Sequence, residues 1–360
     1  MRHLELFAGI GGFRRALDLI GSDLDIPMEC IGYSEIEPKA VLTYQSNYHP
    51  AENEIVVGDI VAFTSDKKKI EALPDFDLLT GGFPCQTFSM MGKQAGFDED
   101  RGQMFFRIAD ILRVKRPRYV LLENVKNLYT HDNRRTFAKI VEVLHELGYK
   151  VASDIFNTAN FHLPQTRNRV LIFATNSDLF TEQQIRESFT AANVSDLYDA
   201  NYRRLSPRCF RSTSAVLSKK VDPKYFLSEK LKPTILSNGS AGFVSNSEIN
   251  LPIARPLTAT MHKMHRACQD NYYSQEFIDS NGRINDALGL SKEDQAKLPI
   301  RKLTPEEAFK LQGFPGQFAT NGRRQGVSDG ALYKQAGNAV SVNTIYAALY
   351  YLINNGFITL

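Results

Sequence analysis

The sequence predicts an α/β fold built on a mostly parallel sheet, and three features carry this prediction. Segments with strand character alternate with amphipathic helical segments through the first 175 residues, which is typical of βαβ units. A glycine-rich connection follows the first strand segment, and a long apolar helix over residues 340–354 closes the chain. The expected strands are residues 3–7, 29–34, 55–57, 76–80, 119–122 and 169–174, and the expected helices are residues 13–20, 38–44, 103–114 and 134–147.

The composition is that of an ordinary globular protein with room for one large and one smaller domain. Of its 360 residues, 43% are hydrophobic and 23% are charged. The chain has no run of eighteen apolar residues and begins without the apolar region of a signal peptide, so we expect a cytoplasmic protein with no membrane span. Its cysteines are widely spaced and include no Cys-x-x-Cys pair, which indicates a reducing compartment.

The regular pattern changes near residue 181. Thr181 and Gln184 predict a capping box for a short helix over residues 181–189, after which the sequence is irregular to about residue 298. Regularity returns where Thr304 suits a helix N-cap, with Glu307 completing a capping box and Gly313 ending the helix. We therefore expect a first domain over residues 1–180, a loop-rich second domain over residues 181–300, and a return to the first domain over residues 301–360.

Charge is distributed unevenly along the chain. The net charge is only +3, from 43 basic and 40 acidic residues, yet residues 201–232 contain nine basic residues against two acidic ones. Such an imbalance is typical of surfaces that bind a phosphate backbone, and a solvated basic face is the equal alternative.

The first strand–helix connection has the features of an adenosine site. In Phe7-Ala8-Gly9-Ile10-Gly11-Gly12, glycines allow a ligand to approach the backbone, and the helix that follows offers free N–H groups. Glu35 and Asp59 end the next two strands, where they suit a ribose and an adenine amino group. Ile36 and Ile60 are placed to sandwich the adenine ring. The candidate cofactor residues are Phe7, Ala8, Gly9, Gly11, Gly12, Glu35, Ile36, Asp59 and Ile60.

These residues alone leave a nicotinamide dinucleotide and S-adenosylmethionine both open. No Gly-Lys-Ser/Thr follows the turn, so it is not a P-loop. Cys85 favours S-adenosylmethionine, because hydride transfer needs no thiol. This cysteine follows the expected strand 76–80 in the stretch Phe83-Pro84-Cys85-Gln86, where α/β sheets place their ligands. A buried apolar cysteine is the alternative, although the polar residues after Cys85 argue against a core strand.

Three further segments bear on the chemistry. Glu123-Asn124-Val125 ends another strand and brings a carboxyl to the sheet edge that carries Cys85, unless Glu123 is only a helix-cap acid. Gln165-Thr166-Arg167-Asn168-Arg169 places two guanidinium groups two residues apart on one face, unless they form a surface salt bridge. The third segment, Tyr333 to Val340, leads into the closing helix.

Together these segments resemble the cytosine-carbon-5 DNA methyltransferase family. Six motifs match in the family's own order, over nearly the whole chain outside residues 180–250. The matching residues are 7–12, 82–86, 123–125, 165–169, 255–258 and 335–340. Ile36 departs from a well-studied subset of the family that carries tryptophan at this position. The resemblance implies a methyltransferase of Rossmann-like fold that uses S-adenosylmethionine, with a smaller target-recognition domain over residues 181–300.

The resemblance also implies a role for each site residue. Cys85 would add to carbon-6 of the target cytosine, and Glu123, in a protonated form that burial would supply, would contact ring nitrogen N3. Arg167 would bind the cytosine carbonyl oxygen, and Arg169 would hold the site together. Further structural and cofactor contacts are expected from Asn124, Asn338 and Ala339.

The implied partner is double-stranded DNA with a short specific site, from which the cytosine must flip out. Residues 87–102 suit a closing lid, and the expected DNA contacts are Gln86, Ser89, Arg101 and Arg255. His262, His265 and Cys268 have partial metal-ligand spacing without a fourth ligand, so we expect a DNA-facing loop and no metal.

The function expected is that of the modification enzyme of a restriction–modification system, acting as a monomer. Two alternatives stay open. The family's branch that modifies transfer RNA carries a Cys-Phe-Thr tripeptide, which this chain lacks. A catalytically silent DNA-binding homologue would have no need of Cys85, Glu123, Arg167 and Arg169.

Overall fold

A seven-stranded sheet forms the centre of the molecule. The structure is a computed structural model and describes residues 1–84, 104–240 and 242–359. The strands of the sheet are β1 Arg2–Leu6, β2 Glu29–Tyr33, β3 Ile55–Val56, β4 Leu78–Gly82, β5 Tyr119–Val125, β6 Lys150–Asn157 and β7 Asn168–Thr175. They lie in the order β3-β2-β1-β4-β5-β7-β6, and only β7 runs antiparallel to its neighbours. The predicted α/β class with a mostly parallel sheet is confirmed.

Helices cover both faces of this sheet, and each face has its own apolar core. One layer, packed against β4 and β5, comprises α3 Ile60–Thr64, α4 Lys67–Glu71, α5 Met104–Lys115 and α6 Arg135–Glu146. The core of the other face is formed with α1 Gly12–Leu24, α7 Glu182–Ser188, α8 Ala191–Asn201, α12 Pro305–Leu311, α13 Gln317–Arg324, α14 Asp329–Asn338 and α15 Val342–Asn354. Helix α2 Pro38–Tyr48 follows β2 along the chain.

Several element bounds differ from those expected, and two differences matter for the site. β4 ends at Gly82 and not at Thr80, so the two glycines belong to the strand. β5 continues through Val125, which places Glu123 inside the strand, opposite Leu171 of β7. β6 and α8 were not expected from the sequence. β6 is an edge strand with mixed apolar and polar residues and intermediate burial, so neither of its faces gives a strong alternating signal.

A smaller unit packs around a third apolar cluster. Its core comprises Leu227, Ile235, Leu236, Ile249, Ala267, Tyr272, Ala287 and Ile300. Its elements are α9 Lys232–Leu236, β8 Gly239–Ser240, β9 Phe243–Val244, β10 Tyr272–Ser274, α10 Gln275–Asp279, α11 Lys292–Gln295 and β11 Ile300–Lys302. Apolar side chains between residues 185 and 217, which the sequence analysis placed in the second domain, are instead buried in the large core.

A buried ion pair holds the chain in place where it passes from the smaller unit back to the large one. Arg301 and Glu307 are both fully buried and bind through two hydrogen bonds of 2.8 Å. Glu307 also accepts the Ser218 N–H, and Arg301 donates to the Ser218 carbonyl. The pair therefore connects the two places at which the chain passes between the units. Thr304 and Glu307 form the predicted capping box. Among the described residues, no helix is long and apolar enough to cross a membrane.

Candidate active site

A cavity of about 860 Å³ opens where β1, β4 and β5 end and β7 begins. Because parallel strands end at one edge of a sheet, this is where α/β proteins bind ligands. The cavity brings together residues that are distant in sequence. Its lining includes Phe7, Gly9, Glu35, Phe83, Pro84, Glu123, Asn124, Arg167, Arg169, His262 and Asn338.

Glu123 and Arg169 form an ion pair on the wall of this cavity. In the antiparallel β5–β7 register Glu123 faces Leu171, so Arg169 is its diagonal neighbour two residues away. The Arg169 Nε lies 2.9 Å from Glu123 Oε1, with side-chain exposures of 20% and 11%. The strand extension that the sequence analysis missed therefore gives this pair its geometry.

Arg167 occupies a different position from Arg169. Its side chain is almost completely buried, and its Nη atoms donate to the carbonyl oxygens of Leu257, Gly337 and Ala339 at 2.9–3.1 Å. Burial, together with the positive charge of Arg169, lowers the pKa of the Arg167 guanidinium to about 9. The sequence predicted that Arg167 binds the substrate and that Arg169 holds the site together, whereas these contacts favour the opposite assignment.

The turn that leads to Cys85 is held by Asn124. Its Nδ2 donates to the Phe83 carbonyl at 2.8 Å, and its Oδ1 accepts the Val125 N–H at 2.8 Å. Phe83 and Pro84 line the cavity, so the described chain reaches the cavity wall immediately before Cys85. Cys85, Gln86, Ser89, Arg101 and the expected lid, residues 87–102, lie outside the described residues.

The turn between β1 and α1 is held in place by the Glu35 side chain. Its Oε2 accepts the Gly9 N–H at 2.8 Å, and its Oε1 accepts the N–H groups of Ile36 and Glu37 at 2.8 and 2.7 Å. Gly11 has a φ of +80°, and a Cβ there would lie 2.3 Å from the Tyr48 ring. The turn therefore requires glycine, and the Glu35 carboxylate holds it against the end of β2.

Glu5 supports the connection between β1 and α1 from beneath and was not singled out from the sequence. It lies fully buried in β1, and its Oε1 accepts the N–H groups of Phe13 and Arg14 at 3.2 and 3.4 Å. Burial raises the pKa of the Glu5 carboxyl to about 8. The first turn of α1 is where dinucleotide-binding folds hold a pyrophosphate, and here a carboxyl of the chain occupies it. An acidic residue within an apolar strand was the available signal.

The other expected cofactor residues occupy different environments. Asp59 is the N-cap of α3 and accepts the Val61 N–H at 2.8 Å, while Ile60 is buried in the core. Ile36 is 70% exposed. Asn338 is exposed and lines the cavity, and the Ala339 carbonyl accepts the bond from Arg167.

An ion pair spans the rim of the cavity. Lys334 of α14 lies 2.8 Å from Glu37, which precedes α2, and this contact lowers the pKa of the Glu37 carboxyl. Beside it, the Gln335 side chain accepts from Thr43 at 3.0 Å and donates to the Lys39 carbonyl at 2.9 Å. The end of α14 is thereby fixed against α2.

The smaller unit reaches the cavity through residues 254–262. The Leu257 N–H donates to Gln165 Oε1 at 2.9 Å, and the Leu257 carbonyl accepts from Arg167. Arg255 pairs with Glu248, its Nη1 lying 3.2 Å from the Glu248 carbonyl oxygen. His262 lines the cavity, whereas His265 pairs with Asp270. Among the described residues, no group of three potential ligands could hold a metal ion.

The chain is similar to known proteins over nearly its whole length. The model of the family described as C-5 cytosine-specific DNA methylase matches residues 1–354. The type II methyltransferase M1.ScrFI of Lactococcus lactis subsp. cremoris is 37% identical, over 96% of this chain and 76% of its own. The type II methyltransferase M.HpaII of Haemophilus parainfluenzae is 31% identical, over 96% of this chain and 87% of its own.

Solved structures share the fold. The Entamoeba histolytica methyltransferase EhMeth superposes with a TM-score of 0.72 at 20% identity, over 99% of this chain and 98% of its own. The S. pombe Dnmt2 methyltransferase superposes with a TM-score of 0.72 at 21% identity, over the full length of both chains. At this identity the likeness concerns the fold alone.

Proposed function

The chain belongs to the C-5 cytosine-specific DNA methylase family, and on that premise we propose how its cavity methylates a cytosine. The protein is a DNA cytosine-5 methyltransferase. A base inside a duplex cannot reach an enclosed cavity, so the target cytosine is flipped out at a cost of a few kcal/mol. The observation that carries the residue assignment is the Glu123–Arg169 pair on the cavity wall, beside the turn that leads to Cys85.

The cofactor is S-adenosylmethionine. Its adenosine fits beside the first turn, where Gly9 permits close approach and the Glu35 carboxylate, which already accepts three N–H groups, has a lone pair left for a ribose hydroxyl. Glu5 occupies the N–H groups of α1 that a pyrophosphate would need, which disfavours a dinucleotide. When bound, S-adenosylmethionine supplies the methyl group from its sulfonium and leaves as S-adenosylhomocysteine. We place Phe7, Asp59 and Asn338 around it.

Cys85 is the proposed nucleophile. Its thiolate adds to carbon-6 of cytosine, and the electron pair of the 5,6 double bond makes carbon-5 nucleophilic toward the methyl group. Loss of the carbon-5 proton then restores the double bond and expels the thiolate, giving 5-methylcytosine. Asn124 supports this step because its bond to Phe83 fixes the chain two residues before Cys85.

Glu123 and Arg169 act on the polar edge of the cytosine. Glu123 gives a proton or a hydrogen bond to ring nitrogen N3, which lets the ring accept electrons from the thiolate. Arg169 donates to the carbonyl oxygen as its negative charge grows, a role that suits a guanidinium in contact with Glu123. We assign Arg167 to the scaffold instead, because its Nη groups bind three backbone carbonyls.

We further propose a biological role from the relatives. M1.ScrFI and M.HpaII are named type II methyltransferases, which supports a modification enzyme that protects DNA at a short specific site. The smaller unit would read that site, with Arg255 and the proposed contacts Gln86, Ser89 and Arg101 on the DNA. One flipped base needs one cavity, so we propose a monomer.

Competition between substrates tests this proposal. Labelled S-adenosylmethionine is offered with equal amounts of unmethylated duplex DNA and transfer RNA, using wild type, Cys85→Ala and Glu123→Gln. We expect label in DNA alone, complete loss with Cys85→Ala, and a large loss with Glu123→Gln. Transfer into RNA, or full activity of Cys85→Ala, would overturn the proposal.

A further inference from the structure

A second opening of about 630 Å³ shares no lining residue with the cavity that contains Glu123 and Arg169, which we call the reaction cavity. We call it the arginine–tyrosine cleft and define it by Tyr202, Arg203, Arg211 and His162, with the Asp199 carboxylate at its wall. His162 comes from the connection between β6 and β7, Asp199 from the last turn of α8, and the other three from the segment that follows α8.

The cleft is organised around the Tyr202 ring. Arg203 Nε and Arg211 Nη2 lie 3.4 and 3.5 Å from the Tyr202 hydroxyl. The His162 ring stacks on the Tyr202 ring, with centroids 4.0 Å apart and planes 27° apart. Two guanidinium groups from separate positions in the sequence thus converge on one phenol.

No salt bridge binds either arginine of the cleft within the described residues, although the Asp199 carboxylate acts on Arg203 from beyond contact distance. Neither Arg203 nor Arg211 has a carboxylate oxygen within 4.0 Å there, and Asp199 is engaged by His162 Nε2 at 2.8 Å. Arg203 and Arg211 lower the pKa of the Tyr202 hydroxyl, which is the response expected of a phenol beside two unpaired cations. Both arginines are exposed, so an incoming anion can reach them.

The cleft belongs to the large unit and lies close to the reaction cavity. The Phe210 N–H donates to the His162 carbonyl at 2.7 Å, and Asn343 of α15 donates to the Arg208 carbonyl at 2.9 Å. These two bonds anchor the arginine-bearing segment to the large unit. Pro164 lines the cleft and Arg167 lines the reaction cavity, and three residues of chain span at most roughly 11 Å.

We propose that the arginine–tyrosine cleft binds a phosphate of the DNA backbone next to the flipped cytosine. The inference rests on the proposed function, because a duplex that delivers a base into the reaction cavity must pass this edge of the sheet. Arg203 and Arg211 would grip the phosphate, and the stacked Tyr202–His162 pair would hold them in place. A phosphate contact carries no sequence information, so the cleft would strengthen binding to every duplex alike.

The salt dependence of DNA binding tests this inference. The double variant Arg203→Gln/Arg211→Gln is compared with Arg113→Gln/Arg186→Gln, which also removes two positive charges. Arg113 and Arg186 are exposed and lie near the opposite edge of the sheet, beyond the start of β5 and β6. Affinity for a duplex with the recognition site and for one without it is measured between about 50 and 200 mM salt.

We expect the cleft variant to bind both duplexes more weakly by the same factor. The slope of log affinity against log salt should become shallower by about 0.9 for each phosphate that the variant no longer binds, and the control slope should stay unchanged. Arg203→Lys/Arg211→Lys should recover most of the slope, because the charges remain.

Two results would overturn the inference: an unchanged slope in the cleft variant, or a weakening confined to the duplex with the recognition site. Failure of the proposed function is distinguishable. In that case the wild type would bind DNA with the expected salt slope but would transfer no methyl group at saturating DNA.

Discussion

Arg169 Nε lies 2.9 Å from Glu123 Oε1, so the two side chains proposed to act on the cytosine already contact each other. The contact follows from the antiparallel pairing of β5 with β7, which brings the two residues to one face of the sheet. Each group restrains the other, so the polar edge of the cavity is ordered before the substrate arrives.

Replacing Arg169 should lower the catalytic rate, whereas replacing Arg167 should lower the stability of the fold. Arg169→Gln should keep the fold and lower kcat by about 10²- to 10³-fold, because it removes a donor that stabilises the growing charge. Arg167→Met should destabilise the protein by more than about 3 kcal/mol, since three buried carbonyls lose a charged donor. Urea unfolding and steady-state kinetics measure both effects. If Arg167→Met instead lowered kcat without destabilising the protein, and Arg169→Gln destabilised it, Arg167 would be the residue that binds the substrate.

Gly337 marks a close approach between α14 and the smaller unit. A Cβ at this position would lie 2.2 Å from the Thr258 carbonyl carbon, so Gly337→Ala must push residues 258–259 away. We expect a loss of about 1–3 kcal/mol of stability, with impaired activity because Arg167 binds the Gly337 carbonyl. Gly330→Ala in the same helix is the control, since nothing lies within 4 Å of its added Cβ. Equal thermal stability of the two variants would contradict this.

Asn124 should affect kcat because it holds the turn at Phe83 that leads to Cys85. Asn124→Ala leaves the Phe83 carbonyl without its donor, so the segment leading to Cys85 loses a fixed position. We expect kcat to fall while the Kd for S-adenosylmethionine changes little, together with a loss of about 1–3 kcal/mol of stability. Asn127→Ala, in the exposed turn that follows, should leave kcat unchanged. A matching rise in the cofactor Kd would instead place Asn124 in the cofactor site.

Glu5 should make stability depend on pH. Burial raises the pKa of Glu5 from 4.5 to about 8, so the folded protein keeps this proton where the unfolded chain has released it. Its contribution to stability therefore falls as pH rises from about 5 to 8, by up to about 1.4 kcal/mol per pH unit. Glu5→Gln keeps a carbonyl for the Phe13 and Arg14 N–H groups and should remove this slope. Parallel stability–pH curves for wild type and variant would refute the assignment.

Much of the site was predictable because parallel strands end at one edge. Gly9, Glu35 and Glu123 each follow or end an apolar strand segment, and their convergence needs only the βαβ rule. The Thr304 capping box was likewise local and was found. The partners of Arg167 could not be read in this way, since Leu257 and Gly337 are 90 and 170 residues distant.

The misplaced elements have physical reasons as well. β6 carries Lys150, Ser153 and Asp154 because it is an edge strand, which weakens the apolar pattern. Ile185 and Tyr198 lie in α7 and α8, which follow the change in sequence pattern near residue 181. Only their packing in the structure shows that they belong to the same apolar core as α1 and α15. The acidic residue Glu5 in an apolar strand was a visible signal, but its role depends on the backbone N–H groups of α1, which have no side-chain signature.

The most direct test of the central claim is methylation of unmethylated, enzymatically amplified DNA of high sequence diversity, read by bisulfite sequencing. We predict protected cytosines in one recurring short context with the wild type, and none with Cys85→Ala. No protected cytosines from wild-type protein that is folded and binds S-adenosylmethionine would contradict the claim.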